Sequence, residues 1–248
     1  MRSPVRPILL AVAVGGIGVF TGYWSVAWAL RGSYVTALIM LAVAIWGLGF
    51  AAFYLCTALG AATPRTDSSS AGTLLRPGLF VDIVTVVPIA AITIAAAMYL
   101  VLSPFGLVDY SPSGIARGIP LIFVAFLVLG VTTLYRMVKH KGGGHLRLDP
   151  AGFEVWNSHW NSFRGGTWDE IEQILDHKPN GGKPFNKLVV FVPSKGANAV
   201  LYSDAITSDS DALLTWIRFY WEHPEYRDEL VDDRGLQRLS DEKFTPER

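Results

Sequence analysis

The chain has 248 residues, 51% of them hydrophobic, and its 21 basic and 21 acidic residues cancel to a formal net charge of zero. Neutrality argues against the basic face of a nucleic-acid binder. The single cysteine, Cys56, excludes an internal disulfide, and with no Cys or His at ligand spacing it gives no basis for a metal site. Charge is unevenly placed: of the acids only Asp67, Asp82 and Asp109 precede Gly144, so the first part of the chain reads as lipid-solvated and the remainder as water-solvated.

Four apolar runs are long enough to cross a bilayer and predict a membrane α-helical domain over residues 1–141. The first, about 7–30, follows Arg2 and Arg6 and carries Tyr23, Trp24 and Trp28 towards its far end, a basic inner flank and an aromatic outer belt. A cleaved signal peptide ending near Ala27-Trp28-Ala29 is the alternative, opposed by the length of the run and by the aromatics around that site. Gly18 and Gly22 are a small-xxx-small pair with two readings, packing against a helix of the same chain or a homo-oligomer contact. The second span, about 33–59, follows the Arg31-Gly32 turn. Residues 60–78 read as a Ser, Thr, Gly and Pro loop on the cytoplasmic side, where Arg65 and Arg76 outnumber Asp67.

The third span, about 79–102, contains Pro88, which removes a backbone hydrogen bond and favours a kink. It also holds Asp82, the acid inside an apolar span and so the candidate intramembrane polar site. Asp82 lies about one helical turn in from Gly78, roughly 6 Å, where a carboxylate also reaches interfacial water or Arg76. An outer loop precedes the fourth span, about 118–138, which closes on Tyr135-Arg136-Met137-Val138-Lys139-His140-Lys141. Basic flanks collect on one side, which predicts a multi-pass protein of the cell (inner or plasma) membrane with both termini cytoplasmic.

Gly142-Gly143-Gly144 lacks the strand, Lys and Ser or Thr context of a phosphate loop and reads as a flexible linker over 142–144. Beyond it the period changes to two. His145 to Asp149 and Phe153 to Asn157 alternate around the turn Asp149-Pro150-Ala151-Gly152, a β-hairpin. Trp168 to Ile174 fits either a helical turn or the start of a strand; Lys187 to Val192 and Ala199 to Tyr202 read as short antiparallel strands. N-cap candidates at Ser208 to Asp211 open a helix to Glu222 with Leu213, Leu214, Ile217 and Tyr220 or Trp221 at helical spacing. Pro224 stops it, a short helix follows to Leu230, and 231–248 reads as a mobile charged tail.

The order "LRLDPAGFEVW", "TWDEIEQI", paired strands and "DALLTWIRFYWEHPEYRDEL" resembles the bacterial pleckstrin-homology-like (PH-like) domains that follow membrane spans in many actinobacterial proteins. The resemblance covers about residues 144–230 and rests on pattern. It implies an α+β module over 145–230, small antiparallel sheets or a partly open barrel capped by a helix. Eukaryotic relatives bind phosphoinositides through basic residues around the first hairpin; the corresponding turn here, Asp149 to Gly152, has none.

Lys178, Lys183 and Lys187 are candidate contacts for anionic lipid, with solvated loop lysines as the plain alternative. Trp156 and Trp160 are candidate contacts for a protein partner, though such tryptophans more often fill or rim a small sheet core. The five histidines show no i, i+4 pair, no G-x-S-x-G is present and no acid pair stands out, so catalytic, cofactor and metal residues are none. The expectation is a non-catalytic, membrane-anchored interaction protein that presents its module to a protein partner at the inner surface. The alternative is a transporter or channel component working around Asp82 and Pro88.

Topology gives the first test. In intact cells a cysteine at Ser113 should react with an impermeant thiol reagent and one at Ser69 should be shielded; the reverse pattern would invert the topology.

Overall fold

The computed structural model describes residues 5–109, 118–179 and 186–246. They form two compact units, a helical one from residues up to Leu55 and from Ile83 to Lys139, and a sheet unit from Cys56 to Asp82 and from His140 onward.

The helical unit is built on α1 (Val5–Leu30), α2 (Tyr34–Ala58), α3 (Leu79–Leu102) and α4 (Ile119–Lys139). Among the described residues all four are long and apolar enough to cross a membrane. Large apolar side chains such as Leu9, Val12, Phe20, Ile94 and Leu121 stand outward, an arrangement that suits hydrocarbon as the solvent. The interior is lined by small residues. A Cβ at Gly18 would lie 2.8 Å from the Leu48 nitrogen, and one at Gly47 2.8 Å from the Gly18 Cα, so α1 and α2 meet backbone to backbone. Packing within the chain therefore accounts for Gly18. Pro88 is buried inside a continuous α3, and its ring occupies the space that a side chain at Gly49 would need. Tyr99 of α3 stacks on Phe123 of α4 with centroids 4.2 Å apart.

The sheet unit contains a five-stranded antiparallel sheet in the order β1 (Arg65–Ser69), β2 (Gly72–Arg76), β3 (Gly144–Leu148), β4 (Gly152–Asn157), β5 (Ser162–Thr167). A second sheet has the order β6 (Ile171–Leu175), β7 (Leu188–Pro193), β8 (Ala199–Tyr202). Helices α5 (Ser203–Ile206), α6 (Ser210–Glu222) and α7 (Asp233–Ser240) follow, with a 3₁₀ segment Pro224–Val231 between the last two.

Three expectations change. The segment between the second and third spans is a β-hairpin, and it joins the C-terminal sheet through Thr73↔Leu148, Leu74↔Arg147 and Leu75↔Leu146. Its strands carry few apolar residues, so the strand signal is weak, yet Leu75 is fully buried. The segment expected as a linker is likewise ordered by pairing, since Gly144 opens β3 opposite Asn157. Finally, the described part of the tail is folded: Gly235 on α7 accepts from the buried Trp216 Nε1 (2.9 Å), and Leu239 and Phe244 pack on the core. The segment from Trp168 resolves into both of its readings, a 3₁₀ turn with a Thr167–Glu170 capping box and then β6.

The core of this unit combines Leu75, Leu146, Leu148 and Val155 from the larger sheet with Ile174, Val189 and Leu201 from the smaller, and Phe153 stacks on Phe191 at 4.3 Å. Asp209 caps α6 by accepting from the Asp211 and Ala212 amides. The helix contributes Leu213, Trp216, Ile217 and Tyr220, all fully buried, while Leu214 sits at the margin. At its C-terminus Arg227 donates to the Tyr220 and Trp221 carbonyls. Arg238 grips Glu229 with both oxygens engaged (2.7 and 2.8 Å), and Tyr220 donates to the same carboxylate. That pairing holds the Glu229 carboxyl below its usual range.

Arg238→Ala would leave the shielded Glu229 carboxylate without its bidentate partner and should cost about 3–5 kcal/mol, the loss typical of a broken buried ion pair. Denaturant unfolding of the detergent-solubilised chain, followed at the sheet unit's tryptophans, would show no shift in midpoint if the tail were only loosely attached.

Candidate interaction surface

Antiparallel order fixes which strand ends lie together. β1 and β3 begin, and β2 and β4 end, at one end of the larger sheet, where β5 also starts. In the smaller sheet β6 and β8 end where β7 begins. The two ends coincide: the His159 ring meets Tyr202 at 5.2 Å, and Lys178 reaches Trp160. Here too the chain passes between this unit and the spans, at Thr57, at Asp82 and at His140.

Trp156 does not serve as a surface contact. It is fully buried, donates from Nε1 to the Gly142 carbonyl (2.8 Å) and stacks on His140, which also stacks on Phe163. Its aromatic bulk is used to fix the chain after α4. Neighbouring His145 bonds Glu154 at 2.8 Å, and burial pushes its pKa down. Trp160, in the 3₁₀ turn Ser158–Trp160, is 51% exposed, and the Lys178 ammonium lies 3.2 Å from its ring centroid, a cation–π contact. The same turn is held to the span junction by the Ser158 amide, which donates to the Gly143 carbonyl (3.1 Å). Lys187 pairs with Asp211 at 3.2 Å and is not part of that contact. Lys183 lies outside the described residues.

Asp82 is held by the sheet unit. One carboxylate oxygen is paired with Arg65 at the start of β1, and the other accepts from the Gly143 amide (3.1 Å). Each carboxylate oxygen is thus engaged at a junction between the hairpin and β3. Within the helical unit a cavity of about 210 Å³ is lined by Thr36, Ile39, Tyr99, Val108, Ile119 and Phe123 among others, none of them charged.

Nothing in the sequence singles out Asp204. Asp204 is buried beside the end of α2, where Oδ2 accepts from Asn186 Nδ2 (3.1 Å) and the Lys187 amide (2.9 Å), and Asn186 also donates to Thr57 Oγ1 (3.2 Å). Oδ1 has no hydrogen-bond partner among the described residues. Burial is the main cause that pushes this carboxyl up to about 6, against the opposing pull of its two donors. Only the folded environment reveals this, because in sequence Ser203-Asp204 follows an ordinary short strand.

A second feature is the outer edge of β5, which among the described residues pairs with β4 alone. The Phe163 carbonyl is covered by Arg164 Nη1 (3.2 Å), and the Thr167 amide is covered by Glu170 (3.1 Å). Gly165, between them on the same outward-facing set of backbone groups, is exposed and carries no side chain.

Among the described residues no group of three or more His, Cys, Asp or Glu is placed to hold a metal ion. No family model matches the chain, and no curated protein or solved structure is found to be similar to it.

Asp204 makes a pH prediction. The folded state holds its proton more tightly than the unfolded chain, so the carboxyl's contribution to stability is complete below about pH 4 and is lost as pH rises through about 6. The shift corresponds to about 3 kcal/mol. Asp204→Asn should therefore gain stability relative to the parent as pH rises across this interval. Parallel curves of unfolding free energy against pH for the two proteins would contradict the assignment.

Proposed function

We propose that this chain is a non-catalytic, membrane-anchored interaction protein whose spans hold a PH-like sheet module at the inner surface of the cell membrane, with both termini cytoplasmic. A protein partner docks on the module by adding a strand to β5. The observation that carries this reading is the edge at Gly165, where outward backbone groups remain between two side-chain caps. Strand addition uses such an edge, with main-chain hydrogen bonds giving affinity and neighbouring side chains giving selectivity. Two antiparallel sheets whose core is completed by α6 support the PH-like reading.

The junctions favour this over transport around Asp82 and Pro88. Asp82 is occupied by Arg65 and the Gly143 amide, and Pro88 packs against Gly49. Anchoring suits a weak contact: a module confined beside other membrane proteins meets them at high effective concentration, so a short strand interface suffices.

A photo-crosslinking amino acid at Arg164, read in native membranes, should yield a discrete adduct with one partner protein, while the same probe at Lys195 in the turn at the far strand ends should not. Adducts from Lys195 with none from Arg164 would place recognition elsewhere.

A further inference from the structure

The strand ends from which the spans depart carry cations that no acid pairs. Every acid placed there is engaged: Asp82 by Arg65 and the Gly143 amide, Asp176 by His177, Asp204 by Asn186 and the Lys187 amide, Asp209 by the first amides of α6, and Asp211 by Lys187. Arg76, Lys141 and Lys178 have no acidic partner among the described residues. Arg76 closes β2 with a buried Nε that lacks a hydrogen-bond acceptor, and Lys141 is exposed beside the span junction. The turns at the opposite strand ends carry Asp149, Asp169 and Glu170, with Lys195 and, beside Trp168, Arg227. The cations without an acidic partner thus lie at the strand ends where the chain runs on into the spans.

The aromatic content of that end points the same way. Among the described residues Trp160 is the large exposed aromatic of the sheet unit, and it stands in the turn bonded to Gly143, three residues beyond His140. An exposed tryptophan with an ammonium against its ring is amphipathic, an apolar body with a charged rim, and this combination is favoured at the boundary between headgroups and acyl chains. In bulk water the same indole is a liability. Gly143, to which this turn is bonded, follows closely on α4, one of the helices long and apolar enough to cross a membrane.

We propose that this end of the sheet unit, with Trp160 and Lys178 at its centre and Arg76 and Lys141 beside them, is a contact surface for the headgroups of an anionic phospholipid leaflet. Trp160 enters the interfacial layer and Lys178 remains on its face to meet lipid phosphates, while Arg76 and Lys141 neutralise adjoining headgroups. The surface sets the tilt of the unit against the bilayer and leaves the β5 edge free along its side. It does not depend on strand addition to β5: the two readings use different groups and fail independently.

The test uses the full chain in lipid nanodiscs, with Cys56→Ala and a nitroxide at a single cysteine introduced at Pro179, exposed next to Lys178. The same label at Lys195 reports the opposite end. In phosphatidylcholine containing phosphatidylglycerol, position 179 should be severalfold less accessible to a water-soluble relaxation agent than position 195. High salt, which shortens the screening length, should raise that accessibility. Trp160→Ala and Lys178→Glu should each raise it, as should omission of phosphatidylglycerol. Both substituted side chains lie at the surface, and an unchanged melting curve for the detergent-solubilised variants would confirm that folding is retained. Equal, water-like accessibility at 179 and 195 in the parent protein would overturn the proposal, as would a protected 179 indifferent to lipid charge and to both substitutions.

Discussion

The pairing of β2 with β3 is the constraint on which the rest depends. Thr73, Leu74 and Leu75 come from the short segment between two spans, whereas Leu146, Arg147 and Leu148 follow the fourth span. A strand buried with one side unpaired would leave amides and carbonyls without partners, at a cost comparable to the hydrogen bonds lost. The inter-span hairpin meets that need for β3. Leu75, Leu146 and Leu148 are then fully buried in one core, so the sheet unit is assembled from two stretches separated by a pair of helices long and apolar enough to cross a membrane.

This discontinuity explains the density of specific contacts where chain passes between spans and sheets. Arg65, Asp82 and Gly143 are tied together, Trp156 anchors Gly142 and packs on His140, and Asn186 bridges Thr57 to Asp204. Each joins residues far apart in sequence and fixes the direction in which a strand departs. The raised pKa of Asp204 is a by-product of such a junction, because its donors compensate only part of the desolvation. The C-terminal segment follows the same logic: α6 cannot bury Trp216 without an acceptor for its indole N–H, and the Gly235 carbonyl supplies one.

Small residues do in the helical unit what hydrogen bonds do at the junctions. Hydrocarbon offers no hydrophobic drive between helices, so close approach is what makes them associate. Gly18 against Gly47 and Gly49 against Pro88 provide it. Pro88, expected as a kink, is equally a packing surface.

Sequence by itself determined the features that depend on local composition. Spans at about 7–30, 33–59, 79–102 and 118–138 match the observed helices to within a few residues, because a helix satisfies the backbone of so long an apolar run within the run itself. The hairpin around Asp149 to Gly152, the strands at β7 and β8 and the cap and apolar stripe of α6 were legible from period and turn chemistry. Tertiary structure decided the rest. Arg65 to Arg76 and Ser162 to Thr167 are strands because neighbours pair with them, and Ser, Thr and Gly give no periodic signal of that. Trp156 and Trp160 are alike in sequence, yet packing buries one completely and leaves the other half exposed. Asp82 reads as a lone acid in an apolar run until Arg65 and Gly143, distant in the chain, are brought to its two oxygens. Composition records which groups must leave water or remain in it, and only the fold chooses the partners that make either possible.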